Sequence, residues 1–294
     1  MNRFRRYSAE NQPRAWLFLA PALSIILVFN IYPLFRSFWM SFHGGTLTRP
    51  VFNGIQNYET VLRDTNFHRA MKNTAIYAFS VVPMSLLIGL VVAWIIFEKV
   101  KHKSFFETLF FIPYVTSTLA IGIVFKYFFN GHYGIINHIL GWFNIAPINW
   151  LDSITWNMPT LIIFGIWSGL AFNIIIILAG LRNIDKEHYK VADMFGATKW
   201  EQFSKITFPQ LIPTLTFLST VNFINAFKVY TQVYALFGGK AGIANSATTA
   251  VYYIYDKFHI AGRPGPAMAA TVILFILILA FTFLQNQLIK KVEH

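Results

Sequence analysis

Polar side chains inside an apolar stretch are the first residues of this 294-residue chain that could do chemistry. Asn222, Asn225 and Gln232 are spaced so that two or three share one face of a helix. Amides and aromatic rings suit the hydroxyls and rings of sugars, and the alternative role of such amides is hydrogen bonding between helices. The candidates for contact with a solute are Asn222, Asn225, Lys228, Tyr230, Gln232, Asn173 and Trp167.

A second group of candidates lies in the segment RNIDKEHYKVADMFGATKWEQFSKITFPQLIP, residues 182–213. Polar and apolar residues alternate at helical spacing from Asp185 to Met194, with Tyr189, Ala192 and Met194 or Phe195 as a possible apolar ridge. Gly196 then permits a sharp turn before a second amphipathic stretch. Such a helix–glycine–helix elbow can dock into a partner's groove or lie on lipid headgroups, and spacing alone leaves both open.

The composition shows which elements must position these residues. Hydrophobic residues make up 55% of the chain and charged residues only 12%, about half the usual ~25%. So few charges exclude a cytosolic globular enzyme, a disordered chain and a nucleic-acid binder that uses a basic surface. The absence of cysteine excludes disulfides and thiolate sites, and the eight histidines show no metal-ligand spacing, so no metal site is expected.

Gaps between charged residues predict an all-α integral membrane protein. A helix needs about 20 apolar residues to cross the hydrocarbon core. Residues 127–151 are also uncharged but are interrupted by Gly, Asn, His and Pro, which predicts a loop with a short amphipathic helix at 134–143. Six spans are therefore predicted, at about 15–38, 73–97, 105–129, 158–181, 211–236 and 267–289.

The distribution of Lys and Arg predicts the orientation. The tail 1–14 holds four, the turn 98–103 three, the loop 182–205 five and the tail 290–294 two, whereas the other side spreads its cations over longer loops. By the positive-inside rule both termini and the segment 182–209 are cytoplasmic.

The segment around Gly196 resembles the coupling motif of ABC importer permeases: Glu-Ala-Ala, three residues, Gly, nine residues, then Ile-x-Leu-Pro. Here nine residues separate Gly196 from Ile206, and Pro209 completes the motif. Lys190 stands at the glutamate position, where Glu187 or Asp193 could substitute. The residues that the resemblance implies for contact with an ATPase subunit are Glu187, Tyr189, Lys190, Val191, Ala192, Asp193, Gly196, Ala197, Ile206 and Pro209.

Weaker patches extend the resemblance along nearly the whole chain. The opening PALSIILVFNIYPLFRSFWMSF (21–42) and the following FNGIQNYETVLRD (52–64) are similar to the carbohydrate-uptake branch, the maltose and glycerol-3-phosphate types. The sequence Ala-Leu-Phe-Gly-Gly at 235–239 fits the same branch, although Lys240 replaces the family's frequent proline.

The resemblance implies a type I ABC importer permease with six transmembrane helices and a cytoplasmic coupling helix, in the plasma (inner) membrane of a prokaryote. Its implied partners are a second homologous permease, two ATPase subunits, an extracellular substrate-binding protein and membrane lipid, with no nucleic acid. The chain is not expected to be an enzyme or to bind a cofactor, since ATP and Mg belong to the ATPase subunits. Gly239-Lys240 lacks the other residues of a phosphate-binding loop.

The cargo and the transport class have alternatives. An oligosaccharide is favoured, and glycerol phosphate or a related polyol ester is the alternative, given Lys228 and Lys126. An ATP-independent channel or secondary transporter is disfavoured because the charge-free gaps hold no acidic relay. A membrane enzyme is disfavoured because no His, Asp or Glu cluster is found.

Overall fold

The computed structural model describes residues 12–100 and 103–290, most of which are helical. The predicted tails, 1–14 and 290–294, lie largely outside this part of the chain. The helices are α1 (Gln12–Ile26), α2 (Tyr32–Met40), α3 (Gln56–Arg63), α4 (Thr65–Lys99), α5 (Lys103–Val115), α6 (Thr118–Phe128), α7 (Ile135–Trp142), α8 (Asn157–Arg182), α9 (Lys186–Met194), α10 (Lys199–Gln202), α11 (Phe208–Phe227), α12 (Thr231–Leu236), α13 (Ala250–Tyr255) and α14 (Pro264–Lys290). Short π-helical turns occupy Leu27–Ile31, Phe203–Thr207 and Asp256–Ile260, and a 3₁₀ turn occupies Ile243–Asn245.

The chain divides into two compact units. One contains the residues up to Arg63 together with Ile254–Leu274. It holds a small antiparallel hairpin of β1 (His43–Gly45) and β2 (Pro50–Phe52), which the prediction of an all-α chain did not include. The buried Asn57 amide donates to the carbonyls of Ser41 (2.9 Å) and His43 (3.0 Å), and so fixes the start of this hairpin against α3.

The second unit contains Asp64–Tyr253 together with the residues from Phe275 onward. In it α4 packs along α8, α11 packs on both, and α6 packs on α12. Apolar side chains of α4, α8 and α11 form two separate buried clusters. The first includes Val82, Phe164 and Phe227, and the second includes Ala93, Ile177, Leu211 and Leu218.

The six predicted spans are only partly reproduced. Among the described residues, four helices are long and apolar enough to cross a membrane: Ala15–Met40, Thr65–Lys99, Asn157–Arg182 and Pro264–Ile289. The pair Thr108–Val115 and Thr118–Phe128 is bent by 100° and can count as a fifth. The helix is interrupted within two of the predicted spans, at 105–129 and at 211–236.

At each interruption a side-chain hydroxyl donates to a backbone carbonyl. In the predicted third span, Pro113 lacks an amide hydrogen, and Thr116 turns its hydroxyl back onto the Ile112 carbonyl at 2.8 Å. In the predicted fifth span, α11 ends at Phe227 and α12 starts at Thr231. The Thr249 hydroxyl donates to the freed Val229 carbonyl at 2.8 Å, so a tertiary contact replaces a helical hydrogen bond. The short helix predicted at 134–143 is present as α7.

Candidate functional site

A cavity of about 550 Å³ lies between α4, α8 and α11. Its wall combines hydroxyl groups, amides and aromatic rings, and no carboxylate occurs among the described residues that line it. The polar lining residues are Tyr77, Ser85, Tyr114, Thr116, Thr118, Ser168, Asn222, Asn225, Lys228 and Gln232. The aromatic lining also includes Phe164, Trp167 and Phe172.

The cavity lies near the middle of the long helices. On α8, Trp167 and Ser168 fall close to the centre of 26 residues, a length of about 39 Å at 1.5 Å per residue. On α4, Val82 and Ser85 likewise fall near the middle of 35 residues. The lining includes Val82 and Phe164 of the first buried apolar cluster and Phe172, which packs against the second. If α4 and α8 span a bilayer, the cavity lies well inside its hydrocarbon thickness.

Both helix interruptions open onto this cavity. Pro113, Thr116 and Thr118 line it at the bend between α5 and α6, and Lys228 and Gln232 line it on the two sides of the break between α11 and α12. Non-helical backbone at membrane depth is tolerated only where it is buried in protein or lines a water-filled cavity. The breaks thus fit a polar passage and would be unfavourable on a lipid-facing surface.

Five of the seven predicted solute contacts line the cavity: Asn222, Asn225, Lys228, Gln232 and Trp167. The other two do not. Asn173 is fully buried behind the wall, and Tyr230 packs its ring against Tyr234 and Tyr252 at centroid distances of 5.7 and 6.1 Å. The sequence prediction placed Tyr230 in the same span as Asn222 and Asn225. In the structure α11 ends at Phe227, so helical spacing no longer relates Tyr230 to the cavity-lining residues of α11.

A chain of hydrogen bonds connects Asn173 to the cavity wall. The Asn222 amide donates to the Asn173 side-chain oxygen at 2.7 Å, and the Asn173 amide donates to the Ser85 hydroxyl at 3.2 Å. The Ser85 hydroxyl in turn donates to the Val82 carbonyl at 3.1 Å. Asn173 therefore orients Asn222 and links α11, α8 and α4, which is the interhelical role that the sequence left open.

The aromatic part of the wall was largely missed from the sequence. Tyr114 on α5 and Phe172 on α8 stack with ring centroids 5.6 Å apart and an interplanar angle of 17°. Trp167 lies 4.8 Å from the Phe125 ring. In a chain with 31 Phe and 13 Tyr, no local pattern distinguishes these rings from ordinary apolar packing.

The predicted elbow is built by a Schellman motif at the end of α9. Gly196 adopts a left-handed φ of +72°. Its N–H donates to the Asp193 carbonyl at 3.0 Å, and the Ala197 N–H donates to the Ala192 carbonyl at 3.0 Å. These bonds satisfy carbonyls that the helix end would leave unpaired. The glycine is required for its backbone conformation, since a Cβ at this position would meet no atom within 4 Å.

A capping box then starts α10. The Thr198 hydroxyl accepts from the Glu201 N–H at 3.3 Å, and a Glu201 carboxylate oxygen accepts from the Thr198 N–H at 2.9 Å. These hydrogen bonds to Thr198, with a smaller effect from Lys205, lower the pKa of Glu201. Buried Gln202 closes the elbow by donating to Asp193 at 2.6 Å and to the Ala197 carbonyl at 3.3 Å.

Two of the predicted coupling residues, Tyr189 and Asp193, make hydrogen bonds within the elbow. The half-buried Tyr189 hydroxyl shares a 2.9 Å hydrogen bond with the Thr207 hydroxyl, so this side chain joins α9 to the following π turn. Burial raises the pKa of the Tyr189 phenol more than the Thr207 hydrogen bond lowers it, and the Glu98 carboxylate adds to the rise. The Asp193 carboxylate is engaged within the elbow by Gln202 and lies 3.9 Å from Lys199.

The exposed face of the elbow is apolar. Met194 and Phe195 are 86% and 87% exposed, and Trp200 and Val191 are also exposed. A groove of about 380 Å³ lies beside them. It is lined by four of the predicted coupling residues, Val191, Ala192, Ile206 and Pro209, together with His188, Lys205 and Gln210. Glu187 and Lys190 are exposed on α9, and Ala197 follows Gly196 in the turn.

Comparison of the sequence with known proteins identifies the family of this chain. Residues 85–294 match the family described as binding-protein-dependent transport system inner membrane component. The chain is 33% identical to the lactose transport system permease protein LacF of Rhizobium radiobacter, over 96% of this chain and 94% of that protein. It is 31% identical to the arabinooligosaccharides transport system permease protein AraP of Bacillus subtilis, over 96% and 90%.

A solved structure agrees with the fold. It is the crystal structure of a bacterial alginate ABC transporter in complex with alginate pentasaccharide-bound periplasmic protein, with a TM-score of 0.82 and 23% identity. The match covers 97% of each chain. The mid-helix cavity, the elbow and the family match over most of the chain agree, and the protein belongs to the family of inner membrane permease components of binding-protein-dependent ABC importers.

Proposed function

We propose that this permease forms half of the translocation pathway for a carbohydrate, with an oligosaccharide as the favoured cargo. The observation that carries the proposal is the cavity between α4, α8 and α11, whose wall offers hydroxyls, amides and aromatic rings together. Its volume falls within the roughly 300–1,000 Å³ that is usual for small-molecule sites. The names of the relatives LacF and AraP, which refer to lactose and arabinooligosaccharides, support the same class of cargo.

The chemistry of the wall suits an uncharged, hydroxyl-rich solute. Asn222, Asn225 and Gln232 each offer both a donor and an acceptor, as a sugar hydroxyl requires. The flat Tyr114–Phe172 pair and Trp167 offer apolar faces against which a sugar ring can pack. A moderate number of weak polar contacts allows release as well as entry, which a transport pathway needs.

The elbow is proposed to receive the driving force. Exposed Met194, Phe195 and Trp200 form an apolar surface on a rigid turn outside the candidate spans, as expected for a surface that docks into a partner. The partner proposed is an ATPase subunit, one of two, and a second permease completes the pathway. An extracellular binding protein delivers the solute, both termini are cytoplasmic, and ATP and Mg are held by the ATPase subunits.

A second cargo class is favoured by one specific observation. Lys228 is the charged residue among the described residues that line the cavity. With no carboxylate beside it, this ammonium group would attract a phosphorylated polyol such as glycerol phosphate. Neutral sugars and an anionic ester are therefore to be compared in the same assay.

The test is purification of the chain from native membranes with its associated proteins, followed by ATPase assays with lactose, maltose, arabinotriose or glycerol 3-phosphate. A co-purifying second permease and ATPase, with hydrolysis stimulated by a sugar, is the expected result. Asn222→Leu should weaken this stimulation, whereas Asn66→Leu, at an exposed position outside the cavity, should not. A chain that purifies alone and moves solute into vesicles without ATP would contradict the proposal.

A further inference from the structure

Tyr77 on α4 lies before residues 85–294, which match the family, and its hydroxyl group has no role assigned so far. Its side chain is only 3% exposed, yet it lines the cavity between α4, α8 and α11. Within residues 12–100 and 103–290 no hydrogen bond joins this hydroxyl to another group, and its oxygen is not among the fully enclosed polar atoms of that part of the chain that lack a partner. The hydroxyl is therefore open to the cavity and can hydrogen-bond with a solute that occupies it.

The other buried tyrosines of the described chain are different. The Tyr253 hydroxyl donates to the Asp64 carboxylate at 2.8 Å, and the Tyr252 hydroxyl donates to the Gly239 carbonyl at 2.9 Å. Both hydroxyls therefore serve the internal structure. Among these three buried tyrosines of the described chain, Tyr77 is the one whose hydroxyl makes no internal hydrogen bond and lies at the cavity.

A glycine on the facing helix α8 leaves room for the Tyr77 phenol. Gly165 of α8 also lines the cavity, and a Cβ at this position would collide with the Tyr77 hydroxyl and lie 2.8 Å from its ring carbons. Gly165 lies in a regular helix and has no positive φ, so its small size, rather than its backbone conformation, is what the site uses. The absence of a side chain here keeps the phenol at the cavity wall.

We propose that Tyr77 is a specificity-determining residue, whose hydroxyl forms a hydrogen bond with one hydroxyl group of the transported solute. The inference rests on the proposed function, since it takes the cavity to be the solute pathway. Tyr77 is held by burial and by the close fit against Gly165, so its hydroxyl has a fixed position. A fixed group of this kind discriminates a solute hydroxyl from a hydrogen at the same carbon, because the analogue without the hydroxyl leaves the phenol unpaired.

The test uses the complete importer in proteoliposomes, with Tyr77→Phe and the matched variant Tyr253→Phe. For the sugar that best stimulates the wild type, Tyr77→Phe should raise the half-saturating concentration about 3- to 10-fold while the maximal rate stays within about twofold. One deoxy analogue of that sugar should raise the half-saturating concentration of the wild type by a similar factor. In Tyr77→Phe, the same analogue and the parent sugar should have equal half-saturating concentrations. Tyr253→Phe should lower the melting temperature but keep the wild-type response to every analogue.

Thermal stability provides the second readout. Because Tyr77→Phe removes a hydroxyl with no protein partner, its melting temperature should equal or exceed that of the wild type. A loss as large as that of Tyr253→Phe would show that the hydroxyl serves the fold, and would overturn the inference. The inference would also be overturned if Tyr77→Phe kept the wild-type half-saturating concentrations for every sugar and deoxy analogue while Asn222→Leu showed impaired transport. If no sugar stimulates even the wild type, the proposed function itself fails.

Discussion

Replacing Gly196 by alanine should loosen the elbow and leave the helical core intact. Gly196 has a φ of +72°, and its N–H and that of Ala197 make the two hydrogen bonds that end α9. A Cβ at position 196 would meet no atom within 4 Å, so the substitution adds no steric collision with other residues. The whole effect must come from placing alanine in the left-handed conformation.

The size of this effect can be estimated. The left-handed conformation costs an L-residue roughly 1–2 kcal/mol relative to glycine. That is about a 5- to 30-fold change in an equilibrium constant. Local opening of the elbow should rise by this factor, and the exposed Phe195 and Met194 should then be presented less uniformly to a partner.

Amide hydrogen exchange measures this opening directly. In Gly196→Ala, the amides of residues 196 and 197 should exchange about 5- to 30-fold faster, while amides of α8 keep their wild-type rates. Gly141→Ala is the matched control, because Gly141 lies in helix α7 without a positive φ and a Cβ there would also meet no atom within 4 Å. This control should leave exchange at the elbow unchanged and protect α7 slightly. Wild-type exchange at residues 196 and 197 in Gly196→Ala would refute the Schellman geometry.

Other predictions concern the same elbow and the cavity. Gln202→Leu removes the hydrogen bond to Asp193 and should destabilise the elbow by about 1–3 kcal/mol, measurable as faster exchange in α9 and α10, and unchanged exchange would contradict it. The lowered pKa of Glu201 means that its capping contribution is present above the ordinary pKa of about 4.3 and is lost as the pH falls through the lower folded value. The amide resonance of Thr198 should report that titration, with a midpoint below the ordinary value, and Glu201→Gln should abolish it. Lys228→Gln should reduce transport of glycerol 3-phosphate at least tenfold if an anionic cargo is used, and should change uptake of neutral sugars less than twofold, as measured by uptake into proteoliposomes.

The long apolar helices could be predicted from sequence because their signal is local. Charge-free runs at 73–97, 158–181 and 267–289 coincide with α4, α8 and α14. The turn at Gly196 was also predictable, since glycine between two amphipathic stretches is a local signal. The hairpin of β1 and β2 was not, because strands of three residues carry too few side chains to show an alternating pattern.

The break between α11 and α12 is stabilised by a tertiary contact and could not be placed from the sequence. No proline or glycine marks the break at 228–230, and the Thr249 hydroxyl that satisfies the Val229 carbonyl is 20 residues away. Tyr77 was missed for the same reason. A tyrosine in an apolar run carries no signal of its own until the fold shows that Gly165 faces it and that its hydroxyl lacks a partner.

The most direct test of the account is uptake of a labelled sugar into proteoliposomes that contain the complete complex, with ATP supplied on one side at a time. The account predicts uptake only when ATP is present on the side that carries the elbow, and loss of that uptake when Asn222→Leu alters the cavity. Equal uptake without ATP, or uptake driven by ATP on the opposite side, would contradict the claim that this permease couples its mid-helix cavity to an ATPase through the elbow.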